Sequence, residues 1–117
     1  QEDSKILIEK NISLLNTILA YGSKETIKLM CYIQQIAYAC EKQKNLLKER
    51  QSEFLSAYAL LIAQVKFDLT FEIIPPTSYF EMFLKDYNDY RESFNKSINA
   101  IVDRIGLLRE FKILPNK

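Results

Sequence analysis

Asp86 and Asp89 stand three residues apart, one turn along a helix, a spacing that ligand pairs use in di-metal helical bundles. Those centres also need histidine, and this chain has none. The same absence removes the commonest general base, the commonest neutral metal ligand and the usual activator of a serine or cysteine nucleophile. The two carboxylates therefore read as a solvated acidic face near a helix N-terminus. Cys31 and Cys40 are the only thiols, and two cysteines without histidine make a poor zinc site. Nine residues apart on one expected helix, they lie roughly 13 Å from each other at about 1.5 Å per residue, too far to pair. Buried reduced thiols are expected, with a bridge between two chains as the alternative. No glycine-rich loop exists to cradle a phosphate, since glycine occurs only at Gly22 and Gly106. The side-chain inventory predicts no catalytic residue, no cofactor site and no metal site, and it argues against an enzyme.

Binding is the chemistry left open. Tyr79, Phe80, Phe83, Tyr87, Tyr90 and Phe94 crowd into about four helical turns. An aromatic stripe at helical spacing usually forms core, and core is the first expectation here. The other is that Tyr79, Phe83, Tyr87, Tyr90 and Phe94 line a groove for a partner protein, or a pocket for an apolar ligand between helices. Lys42, Lys44, Lys48 and Arg50 form a small basic cluster, but Glu41, Glu49 and Glu53 interleave with them, as on a solvated helix end. Asn11-Ile12-Ser13 and Asn95-Lys96-Ser97 match the glycosylation acceptor pattern, yet both fall in expected helices rather than loops and carry little weight.

The elements that must position these residues are helices. Proline is confined to Pro75, Pro76 and Pro115, so the chain lacks the turn punctuation of a many-stranded β fold. In residues 3–21, Ile8, Ile12, Leu15 and Leu19 recur at helical spacing, widened by Ile6, Leu14 and Ile18. Gly22 suits a helix end and Ser23 suits the cap of the next helix, with Glu25 in its first turn. Ser23 to Ile74 contains neither glycine nor proline, and two architectures compete there. The stripe Met30, Ile33, Ala37, Cys40 runs on in heptad phase through Lys44, Leu47, Gln51, Phe54, Tyr58, Leu61 and Val65, as one very long helix would require. Against that, Glu41 to Glu53 has only Leu46 and Leu47 as apolar residues, and Asn45 and Ser52 suit helix ends. The broken version is preferred, giving helices over 23–48 and 52–73. Pro75 and Pro76 stop the second of these. Ser78, Tyr79, Phe80, Glu81 then has a capping-box pattern that would start a final helix over 78–112, roughly 50 Å long, with a frayed tail from Ile113.

The fold expectation is thus an all-α antiparallel bundle of four helices in a single domain over 1–117. The alternative is three helices with one very long central helix, dimeric because so thin a rod leaves apolar surface open. About half of the residues are apolar, enough for an ordinary core. With 16 basic and 15 acidic side chains the chain lacks the basic footprint of a nucleic-acid binder. Charged residues interrupt every candidate membrane span, so a soluble chain is expected. The chain opens on Gln1 rather than methionine, which points to a removed upstream segment, a signal peptide or more of a longer chain. The functional expectation is a non-enzymatic protein–protein interaction module of the adaptor, immunity or assembly type, engaging another protein or a second copy of itself. The alternative is a small helical carrier holding an apolar ligand between aromatic-rich helices.

Overall fold

The computed structural model describes residues 5, 6, 9, 10, 12, 13, 16, 17, 20, 22–43 and 45–113. It is an all-α bundle, with no strand among the described residues. The elements are α1 (Lys24–Lys42), α2 (Leu46–Glu49), α3 (Gln51–Thr70), α4 (Thr77–Phe83), α5 (Tyr87–Ile105) and a closing 3-10 turn (Arg109–Phe111). The described residues between 5 and 20 are helical too. Of the stripe assigned to that segment, Ile6 and Ile12 are exposed. Ile8, Leu14, Leu15, Ile18 and Leu19 lie outside the described residues.

α1 starts as its sequence dictates. Ser23 is extended, and its Oγ accepts from the Thr26 amide at 3.2 Å, satisfying one of the donors a helix start leaves free. The buried face is Thr26, Leu29, Ile33 and Ile36. The expected stripe was rotated from this: Ile33 is buried, whereas Met30, Ala37 and Cys40 are only half-buried. The rotation is possible because Thr26 can sit inside with its hydroxyl donated to Asp68 at 2.6 Å, so a polar residue occupies a core position at no unpaired cost.

The continuous rod does not form. Glu41, Lys42 and Gln43 are all exposed, so no apolar contact holds the helix together there, and Gln43 turns extended at φ −131°. There are two breaks rather than the one expected: that at Gln43 precedes the expected gap at 49–51, that at Arg50 falls inside it, and the short α2 between them uses residues assigned to the end of 23–48. Arg50, at φ −103°, ψ 14°, then joins α2 to α3.

α3 is the central helix, touched by α1, α2, α4 and α5. It runs antiparallel to α1, as the pairing of Thr26 with Asp68 and of Tyr32 with Glu53 shows. α5 crosses its first turns, where Ser93 Oγ donates to Ser52 Oγ at 3.0 Å and Ser56 Oγ donates to the Phe94 carbonyl at 3.4 Å. Small residues allow the close approach: Ser56, Ala57, Ala59 and Ala63 are all buried. α3 closes on Phe71, which takes the left-handed conformation at φ 61°.

The start of α4 corrects the capping-box reading. Pro76 already has helical geometry (φ −57°, ψ −28°) and lacks only an N–H that a helix start does not need, so the helix begins at Thr77. Ser78 and Tyr79 donate their amides to the Pro75 and Pro76 carbonyls at 3.0 and 3.3 Å. Ser78 lies inside the first turn and caps nothing.

The expected helix over 78–112 is three pieces. Leu84 is extended and ends α4, which lets α4 fold onto α5. Gly106, left-handed at φ 84°, ends α5, and the amides of Gly106 and Leu107 both donate to the Val102 carbonyl at 2.9 and 3.0 Å. The chain then turns back, burying Leu107 and Phe111. Asn99 clasps the return, donating to the Ile113 carbonyl at 2.9 Å and accepting from the Ile113 amide at 2.7 Å. Ile113 is therefore held, while 114–117 lie outside the described residues.

Candidate functional site

The break between α4 and α5 decides the fate of the aromatic residues singled out from the sequence. It brings Phe80 back over α5, where its ring stacks on Phe94 at 4.3 Å and on Tyr87 at 5.5 Å. All three are buried, so Tyr87 and Phe94 are core residues. Tyr90 points away and is exposed, sharing a shallow recess of about 400 Å³ with Leu55, Leu84, Asp86 and one edge of Phe94. Tyr79 is half-buried beside Phe80 and faces α3. Phe83 is helical, and its side chain lies outside the described set. Tyr79, Tyr87, Tyr90 and Phe94 do not converge on one groove.

A different surface is open instead. α5 covers the first half of α3, and the later half presents Ile62 and Leu69, seven residues and about two turns apart on one face, at 49% and 77% exposure. Phe71, Ile73 and Met82 are exposed as well, at 79%, 45% and 75%. Between α3, residues 74–76 and α4 lies an apolar recess of about 290 Å³ whose lining includes Ala59, Ile62, Ala63, Pro75, Tyr79 and Met82. Phe71 does not fill it. Its ring stands edge-on to Phe67 at 5.9 Å, held there by the left-handed backbone.

Phe71 is a costly choice for that position. A residue with a Cβ in the left-handed region gives up roughly 1–2 kcal/mol, and glycine or asparagine would be the ordinary occupant. The sequence reading passed over this surface because Leu69, Phe71 and Ile73 sit at the end of a helix read as running to residue 73. The signal available was composition: α3 is apolar on nearly all faces, more than one neighbouring layer can cover.

Two polar clusters flank α1 and α3. At one end, Tyr32 donates its hydroxyl to Glu53, which also takes a two-pronged contact from Arg50 at 2.7 and 2.9 Å, while the Arg104 guanidinium lies 5.6 Å from the Tyr32 ring centre. Burial and the neighbouring carboxylate push Tyr32 up to about 12. Arg50 holds Glu53 below the usual carboxylate range against the opposing effect of partial burial. Glu49, Ser52, Ser97 and Arg104 share a recess of about 390 Å³ with this pair. The two cations there face two carboxylates, so the recess selects no sign of charge.

At the other end, the Asp68 carboxylate accepts from Thr26 Oγ1 (2.6 Å), Gln64 Nε2 (3.0 Å) and the Ser23 amide (3.1 Å). Burial alone would raise its pKa, but these hydrogen bonds outweigh it and the net direction is down. Gln64 Oε1 is buried without a hydrogen-bond partner.

Cys31 is exposed and Cys40 half-buried, which corrects the expectation that both thiols are buried. Asp86 sits in the turn before α5 and Asp89 in its first turn, both exposed. Among the described residues no group of three or more Cys, Asp or Glu could hold a metal ion, and no helix is long and apolar enough to cross a membrane. No protein-family profile matches the chain, and neither curated proteins nor solved structures give a significant match.

Proposed function

We propose that this chain is a non-enzymatic helical interaction module that engages another polypeptide through the apolar end formed by Ile62, Leu69, Phe71, Ile73 and Met82. The observation that carries the reading is the open surface itself, with Leu69, Phe71 and Met82 each at least three-quarters exposed. Scattered exposed apolar residues need no explanation, but five of them on the later half of α3 and the segments that follow it, with Ile62 and Met82 lining an apolar recess, suit a surface that a partner covers. The left-handed backbone at Phe71 supports the same reading, since it holds an aromatic ring outward at a local cost in stability. The test is capture by immobilised protein from an extract of its source, with Leu69→Glu/Met82→Glu as control. A partner retained by the wild-type chain and lost from the double variant supports the module. Equal retention by both removes this surface from the function.

The recess of about 290 Å³ favours a second reading, a carrier of a small apolar ligand between α3, residues 74–76 and α4. It lies at the lower end of ligand-site volumes, which range from about 300 to 1,000 Å³, and it opens to solvent, so polypeptide contact is the leading reading. Native mass spectrometry separates the two: a retained small molecule of fixed mass favours the carrier.

A further inference from the structure

We infer that the polypeptide taken by the open face of α3 is an amphipathic helix lying antiparallel to α3, with an acidic first turn beside Lys66 and a basic last turn beside Asp86. This rests on the reading of that face as an interaction surface and goes beyond it by stating the partner's shape, direction and charge.

The open face forms the floor of a long groove. At about 100° per residue, positions 51, 55, 58, 62, 66 and 69 of α3 fall within about 80° of arc. Tyr58, Ile62 and Leu69 on this face are 39%, 49% and 77% exposed, and Gln51 is exposed as well. Two recesses lie along it. That of about 290 Å³ sets Ile62 and Lys66 against Pro75 and Met82, and that of about 400 Å³ sets Gln51 and Leu55 against Leu84 and Asp86. Residue numbers fall along α3 as they rise along the facing chain, so α4 and the turn after it form one continuous wall. Ala59 of the first recess and Leu55 of the second are about one turn apart, so the two hollows adjoin. From position 51 to position 66 the groove runs about 22 Å, or about four helical turns.

A helix with apolar anchors at helical spacing fills such a strip. An extended peptide would need a sheet edge to pair with, and there is no strand among the described residues.

Charge sets the direction. Among the described residues lining the two recesses, Lys66 and Asp86 are the charged ones, and they stand at opposite ends. Neither side chain joins an ion pair or hydrogen bond with a described residue, so both are free for a partner. Glu72, Glu81 and Lys85 are exposed outside the linings. A helix is itself stabilised by acidic residues in its first turn and basic residues in its last. The helix of best internal polarity therefore meets Lys66 with a carboxylate and Asp86 with a cation when it runs antiparallel to α3. The exposed Tyr90 ring, in the same recess as Asp86, offers a face to that cation.

Fluorescence anisotropy with two labelled peptides of about 18 residues tests this. Both carry leucine at anchor spacing and are stapled to equal helicity; one has glutamates in its first turn and lysines in its last, and the other has these charges exchanged. The wild-type chain should bind the first at least about fivefold more tightly, and Lys66→Glu/Asp86→Lys should reverse the preference. Lys66 is half-buried and Asp86 exposed, so the double variant should keep the wild-type helical spectrum. No binding of either peptide up to about 500 μM overturns the inference, as does a preference that the double variant leaves unchanged. A wild-type dimer that excludes both peptides overturns it in favour of a second copy as occupant. A natural partner lost from Leu69→Glu/Met82→Glu, in a chain that binds neither peptide, overturns the helix while leaving the interaction module standing.

Discussion

Asp68 joins the start of α1 to the end of α3, and its removal should be the costliest single polar change in the molecule. Asp68→Ala deletes the acceptor for Thr26 Oγ1, Gln64 Nε2 and the Ser23 amide. Thr26 and Gln64 are buried, so water cannot replace the carboxylate for them, and each stranded donor costs about 1–3 kcal/mol. Ser23 is half-buried and can turn to solvent, adding little. Loss of a negative charge beside the N-terminus of α1 adds about 0.3–1 kcal/mol. The sum, discounted because Asp68 is itself half-buried, is about 3 kcal/mol, or roughly 10–15 °C in Tm for a chain of this size. Asp68→Asn keeps an acceptor for Thr26 but loses the charge, and should fall about halfway.

The pH dependence has a definite sign. The folded-state pKa of Asp68 is lowered, so its contribution is fully present above the unfolded carboxyl value of about 4 and is lost as pH falls through the folded value. Urea unfolding of the wild type and Asp68→Asn should therefore show a gap at pH 6 that narrows as pH falls below the unfolded carboxyl value of about 4. A loss in Asp68→Ala smaller than about 0.5 kcal/mol, or a wild-type gap over Asp68→Asn that does not change with pH, would refute the assignment of Asp68 as the link.

Phe94→Ala should destabilise by about 3–5 kcal/mol because it empties the centre of the Phe80–Tyr87–Phe94 stack, whereas Tyr90→Ala, on an exposed ring, should stay within about 0.5 kcal/mol by urea titration. In an ultraviolet pH titration Tyr32 should ionise at about 12, and buried Tyr87 should also ionise above the ordinary tyrosine value. The neutral form of Tyr32 is favoured by folding, so that stability is present below about pH 10 and lost as pH rises through about 12; Tyr32→Phe should remove the step at about 12 and make the alkaline limb shallower, leaving the contribution of Tyr87. A thiol reagent should label Cys31 of the native chain quickly and Cys40 several-fold more slowly, in single-cysteine variants Cys40→Ser and Cys31→Ser; equal rates would show that the half-burial of Cys40 gives no protection.

The class of fold was legible in the sequence because its signals are local. Ser23 caps α1 through Thr26, as serine before a periodic run should, and the polar stretch after Glu41 breaks the helix for want of anything to bury. What the sequence hid was decided by distant residues. Thr26 is a core residue only because Asp68 lies opposite it, and no local pattern announces a partner 42 positions away. The stripe from Phe80 to Leu108 keeps helical spacing across two breaks, since Leu84 and Gly106 interrupt the backbone without disturbing the order of apolar residues. The breaks are what send Tyr87 and Phe94 inward. The open surface was hidden for a related reason: the apolar pattern of α3 counts its apolar faces, but only the crossing point of α5 settles which one stays uncovered.

The return at Gly106 and the clasp of Asn99 on Ile113 bear on the order in which a ribosome delivers this fold. α1, α2 and α3 can pair as soon as residue 70 has emerged, yet the first half of α3 then lacks α5, and Phe111, fully buried in the finished core, arrives later still. At about 5–20 residues per second, synthesis of 71–113 takes roughly 2–9 s, during which an apolar helix flank stands open in the cell. Nascent chains stalled between α3 and Gly106 should be far better chaperone clients than those released beyond Ile113, whose two hydrogen bonds to Asn99 fasten the last turn over the core.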